Sequence, residues 1–288
     1  MTLRFRFAGQ LGLTAPDDPL FRHLAGSADP IEQIAWLHDN GFAGVTDNRL
    51  KHRPPAVQEA MGRELVQRGM RMGTFTHASA WPGQPRALPF TRRDAGAREH
   101  LRNEMQASVD AFRRIGSGIA LITSLSEPAR PVADQMDDFA DNLEDLLPMA
   151  EKAGLRLAVE GVSPARLGGL VLALSSQAYA LAQRVASPSL GIVFDTYHVG
   201  TQEGDLAQAL RRTADKVFAI QLSDVPDRIA PGLGSLPLAE LLREASQVRI
   251  DGVLFELEYF PGARNLQAET EAFAALSQLD RRASGEGG

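Results

Sequence analysis

Two hydrophobic patterns alternate along this chain. One consists of short, nearly continuous apolar runs, often rich in β-branched residues. They fall at RFRFAGQLGL (4–13), GFAGVTD (41–47), RMGTFTHA (71–78), GIALITS (118–124), RLAVEGV (156–162), GIVFDTY (191–197), VFAIQLSD (217–224) and VLFELEY (253–259). Runs of this kind predict strands covered on both faces. The other pattern has apolar residues at helical spacing, as in DPIEQIAWLHDNG, VADQMDDFADNLEDLLPMAEKAG and PLAELLREAS. Asp29 before Pro30 predicts a cap followed by proline in the first helical turn, and Gly41 and Gly154 suit helix ends where φ turns positive.

Eight strand-helix repeats joined by short turns predict an α/β fold, a single (β/α)₈ TIM barrel spanning residues 1–288. An open doubly wound sheet would want a Gly-rich phosphate turn after the first strand, which GQLGLTAPDDP does not provide. The longest irregular stretch, 81–96, follows the third strand and is expected at the active mouth as a lid or pocket wall. The small polar residues at about 281–288 are expected to form a disordered tail.

Composition narrows the chemistry. The formal net charge is −6 and no Lys/Arg run stands out, so nucleic acid is an unsuitable partner. The absence of cysteine excludes disulfides and thiolate metal sites. No apolar run is long enough for a membrane span, which makes a cytoplasmic location the expectation. Oligomeric state is left open, with a homo-oligomer compatible.

Four of the late strands end on oxygen donors: Glu160, Asp195, Gln221 and Glu256. They are spaced by 35, 26 and 35 residues, the length of one strand-helix unit each, so consecutive strands would deliver one ligand apiece. Crowded carboxylates repel unless a cation joins them. Carboxylates with an amide oxygen suit Mn²⁺ or Mg²⁺, with Co²⁺ or Zn²⁺ as alternatives. Any one of these residues alone could instead be bonded to a neighbouring loop.

Asp195-Thr-Tyr-His198, Gln221-Leu-Ser-Asp224, Arg228 with Pro231-Gly232-Leu-Gly234, and Glu256-Leu-Glu258-Tyr-Phe-Pro261 resemble the xylose-isomerase-like TIM barrels, especially hydroxypyruvate isomerases and inosose dehydratases. The resemblance implies a divalent metal on Glu160, Asp195, Gln221 and Glu256, with the two glutamates as a proton-transferring pair. The metal would stabilise an enediolate of a small polyhydroxy carbonyl substrate. The implied activity is isomerisation or epimerisation of a small sugar or hydroxy-keto compound. Dehydration on the same site and a non-catalytic sugar-binding barrel are the alternatives. A DNA-cleaving hydrolase of the endonuclease IV type would want a His-rich site and a cationic surface, which this acidic chain lacks.

The last ligand is contested. Glu256 and Glu258 share a strand face by alternation. Strand-end spacing favours Glu256, whereas the Glu-Tyr-x-Pro pattern of hydroxypyruvate isomerases favours Glu258. His198 is implied as a substrate contact, Asp224 belongs to the same motif set, and Arg228 could hold a substrate oxygen with its guanidinium fork. His77, closing strand 3, is expected to face the mouth. Trp81 either walls the pocket or packs on a helix. Asp47 is a weaker candidate, with Arg49 as its expected partner.

Overall fold

Eight parallel strands close in sequence order: β1 (Phe7–Gln10), β2 (Gly44–Asp47), β3 (Arg71–Ala78), β4 (Ile119–Ile122), β5 (Arg156–Glu160), β6 (Leu190–Asp195), β7 (Val217–Leu222) and β8 (Phe255–Leu257). β8 pairs back onto β1 through Phe7 and Ala8. The computed structural model describes residues 3–78, 90–248, 250 and 252–285. The helices α1 (Pro30–Asp39), α2 (Pro55–Gln67), α3 (Ala95–Ile115), α4 (Val132–Ala153), α5 (Ser175–Val185), α6 (Thr196–Gln202), α7 (Leu206–Thr213), α8 (Leu238–Gln247) and α9 (Leu266–Ser284) surround them. This is a single (β/α)₈ barrel, with α6 and α7 sharing the connection between β6 and β7.

Local signals act as the sequence implies. The Asp29 carboxylate accepts from the N–H groups of Ile31 and Glu32, and Pro30 opens α1. Gly154 ends α4 in the left-handed region at φ 75°. Among the described residues, no helix is long and apolar enough to cross a membrane.

One expectation fails at the C-terminus. Residues 281–284 are helical, the last turn of α9, rather than a tail. The cause is Asp280, buried on α9, whose carboxylate accepts from the backbone N–H groups of Arg4 and Phe5 at 3.0 Å. These two residues precede strand 1, and β1 begins at Phe7.

Two apolar layers hold the barrel. The larger lies between strands and helices. The smaller fills the interior with Ile119, Leu121, Ala158, Val193 and Ala219. Side chains two apart on a strand share a face. Glu160, Asp195 and Gln221 therefore sit directly above Ala158, Val193 and Ala219, at the C-terminal mouth.

Candidate active site

Glu160 and Asp195 converge at this mouth as the strand pattern requires. Their carboxylate oxygens and a ring nitrogen of His198 all lie within 4.8 Å of one another. Asp195 works at two levels. Its Oδ1 caps α6, accepting from Tyr197 N at 2.9 Å and His198 N at 3.0 Å, and its Oδ2 receives Arg228 Nη2 at 2.6 Å. That cap is what turns His198, three residues on, back towards the barrel axis.

Arg228 ties the cluster to β8. Its Nε donates to the Glu258 carbonyl at 2.9 Å, and Nη2 lies 3.3 Å from Glu258 Oε2. Nη1 stands 2.7 Å from His198 Nε2. The His198 Nδ1 meanwhile faces the Ser163 N–H at 3.3 Å. A neutral imidazole accepts at only one nitrogen, so these two contacts cannot both be hydrogen bonds. Burial, with help from Arg228 and Arg166, pushes His198 down to about 4 despite Asp195, so the ring is neutral. Its Nε2 also lies 3.7 Å from Glu160 Oε1.

Of the two candidate glutamates, Glu258 joins this cluster and Glu256 does not. Glu258 Oε1 receives Asn48 Nδ2 at 3.0 Å, and Oε2 is a buried acceptor without a hydrogen bond. Glu256 is fully buried lower in the barrel. It accepts from Thr74 N at 2.8 Å and from the Thr74 hydroxyl, and occupies a notch where a Cβ on Gly73 would collide with it. It lines a small, partly open pocket of about 70 Å³ together with Arg71, Ile119 and Arg156, the first residues of β3, β4 and β5.

Barrel tilt explains this choice. Glu160 is in register with Val193, and Val193 with Ala219. In an eight-stranded barrel the level advances by about one residue per strand. Three strands beyond Glu160, a side chain at the same height must therefore come from further along β8 than the direct register suggests. Glu258, the alternative to Glu256, therefore stands level with Glu160 and Asp195, while Glu256 lies below them.

Other expected residues divide. Gln221 is buried level with Asp195, its Nε2 3.5 Å from Thr74 Oγ1 and its Oε1 unpaired. Asp224, expected as a substrate contact, is engaged by its own loop. All its capacity goes to the loop after β7, accepting from the N–H groups of Val225 and Leu236 at 2.9 Å and of Gly232 and Gly234 at 3.1 Å. That loop holds Asp227 and Arg228 at φ 62° and 60°, each a cost of about 1 kcal/mol for a residue with a Cβ. Asp224→Ala should lower stability by about 3 kcal/mol, read as a fall in melting temperature, and misplace Arg228.

His77 is also a correction. Its Nδ1 bonds Ser108 on α3 at 2.7 Å and its ring packs on Phe90, so it faces the helical layer, and burial holds it well below the usual range. Asp47 pairs with Arg53 at 2.6 Å rather than with the Arg49 side chain. Trp81 lies outside the described residues. Asn48 was missed by the sequence reading, its signal being only a polar residue just past a strand end.

Crowding shows in the electrostatics. Burial first, then the charges of Asp195 and Glu258, raise Glu160 well above the usual carboxylate range. Burial also raises Glu258, opposed by Arg228 and reinforced by Asp195. Three carboxylates, a free amide oxygen on Gln221 and an unbonded Glu258 Oε2 make a donor set of hard oxygens short of positive charge. That set fits a divalent cation.

With fold and site in hand, the chain can be placed. The family model for the xylose isomerase-like TIM barrel matches residues 34–276, and the chain belongs to that family. It is 30% identical over 212 residues to a putative hydroxypyruvate isomerase of Streptomyces coelicolor, covering 71% of this chain and 74% of that protein. To a 2-oxo-tetronate isomerase of Cupriavidus necator it is 28% identical over 262 residues, 90% of this chain and 94% of the other. Its fold matches a family 2 AP endonuclease from Brucella melitensis with a TM-score of 0.76 at 19% identity, covering 92% and 95% of the two chains. The relatives of this chain thus include isomerases of small sugar-like compounds.

Proposed function

We propose that the protein is a divalent-metal-dependent isomerase or epimerase of a small sugar or hydroxy-keto compound. The observation that carries this reading is the crowding of Glu160, Asp195 and Glu258, whose mutual repulsion a cation would relieve, with the unbonded Gln221 oxygen level with Asp195 on the next strand. Glu160, Asp195, Gln221 and Glu258 would hold it, with Mn²⁺ or Mg²⁺ the best match to an all-oxygen set. When bound, it would supply positive charge where a substrate carbonyl oxygen becomes negative.

The rest is done by the chain. β5 and β8 lie three strands apart, so Glu160 and Glu258 reach the site from different sides. One carboxylate takes the proton from the carbon between carbonyl and hydroxyl, and the other carboxyl returns one to the opposite face or to the adjacent carbon. Burial raises the proton affinity of both in the metal-free protein, and a bound cation would lower it again. His198, neutral at Nε2, and Arg228 are placed to hold substrate oxygens.

Elemental mass spectrometry of wild type and Asp195→Ala side by side tests this reading. About one Mn, Mg or Co ion per wild-type chain, lost in the variant, is expected. No metal in either protein after soaking in Mn²⁺ would remove the basis for it.

A further inference from the structure

Beside the carboxylate cluster, the ends of β1 and β2 carry polar atoms that the proposed chemistry leaves without work. Gln10 on β1 accepts at Oε1 from Gly12 N and Asn48 N, both at 3.3 Å, while its Nε2 is buried and unbonded. Asn48 gives its Nδ2 to Glu258 and leaves Oδ1 buried and unbonded. The next residue, Arg49, is only 8% exposed, with an unbonded Nε.

Arg49 is the unusual member. Burial disfavours its charge and the neighbouring Asp47 carboxylate offsets this in part, while its Nε stays without a hydrogen bond. The acids around it are committed elsewhere. Asp47 gives Oδ2 to Arg53 at 2.6 Å and Oδ1 to the Arg49 backbone N–H. Glu104 holds Lys51 at 2.6 Å. Among the described residues no carboxylate pairs with the Arg49 side chain.

Charge balance at the mouth points the same way. A divalent cation together with Arg228 offsets Glu160, Asp195 and Glu258. Arg49 and Arg166 then remain, Arg166 on the exposed side and Arg49 one residue from Asn48, which touches Glu258. Because all strands run parallel, the segment after β2 lies on the same mouth as the cluster.

We infer that Gln10, Asn48 and Arg49 form an anion subsite, and that the substrate is a hydroxy-keto acid whose carboxylate is held there. The guanidinium and the Gln10 amide N–H₂ donate to the carboxylate, and Asn48 Oδ1 accepts from a neighbouring hydroxyl. This inference rests on the metal-site reading above and narrows its substrate class from neutral ketoses to acids.

The test uses Mn²⁺-loaded protein and two non-reacting probes, glycerate and glycerol, which differ in one carboxylate. Calorimetry should find glycerate bound at least about tenfold more tightly than glycerol by wild type, and that preference lost in Arg49→Gln with Mn²⁺ affinity unchanged. The metal-free variant should melt no lower than wild type, since the substitution breaks no ion pair of the Arg49 side chain. Arg49→Met serves the same purpose if the glutamine variant does not fold. Equal wild-type affinity for both probes, unchanged glycerate binding in the variants, or a lower melting temperature in both would overturn the inference while leaving the metal site intact. Failure of wild type to bind Mn²⁺ at all would remove both.

Discussion

Glu258→Gln should abolish turnover and cripple metal binding, while Glu256→Gln should leave both within about threefold of wild type. Glu258 reaches the mouth, 3.3 Å from the Arg228 guanidinium that also holds Asp195, and its Oε2 has no hydrogen bond of its own. Loss of its charge removes one ligand and one proton carrier together. A positioned acid or base is worth roughly 10²–10⁴ in rate, so a fall of about a thousandfold is expected. Glu256 is sequestered on Thr74, with Gly73 leaving it room, and is fully buried. Its amide analogue can keep an acceptor for the Thr74 N–H. Isothermal titration with Mn²⁺, followed by turnover on a panel of hydroxy-keto acids and ketoses, reads both variants. Metal lost from the Glu256 variant and kept by the Glu258 variant would reverse the assignment.

That choice marks where the sequence stops being legible. Alternation along each strand is a local property, so the inward face of β5, β6 and β7 could be read directly, and Glu160, Asp195 and Gln221 followed from it. The level of one strand against another is set by barrel closure and tilt, which leave no trace in the residues of β8. Equal spacing therefore selects Glu256, one inward position below the level of Glu160 and Asp195. Motif order served better for Glu258, because Tyr259 and Pro261 belong to the turn that follows the mouth. Side-chain direction past a strand end was equally hidden. His77 turns to Ser108 on α3, and Asp224 becomes the anchor of its own loop. Both are close in sequence to strand ends, and only packing decides which way they face. The C-terminal helix was misjudged for a related reason, since Asp280 finds its partners at Arg4 and Phe5.

Metal-free protein should lose stability as pH rises from 6 to 9, and Glu256→Gln should flatten much of that loss. Burial raises Glu256 from 4.5 to about 8 in the folded chain, although the Thr74 contacts pull the other way. A carboxyl whose folded value lies above its unfolded one stabilises the fold below the unfolded value. That contribution disappears as pH climbs through the folded value. At about 1.4 kcal/mol per unit, the full loss is about 5 kcal/mol, of which about 3 falls between pH 6 and 9. Glu160 and Glu258 are raised as well, so they add to the slope in the same direction. A bound divalent cation favours their charged forms and works against it. Denaturant melts of chelator-treated protein at both pH values should therefore show a steep decline for wild type and a shallower one for Glu256→Gln. Mn²⁺ should restore stability more at pH 9 than at pH 6 in both proteins. Parallel pH profiles for wild type and variant would mean that Glu256 is already charged in the folded barrel, satisfied by Thr74 alone.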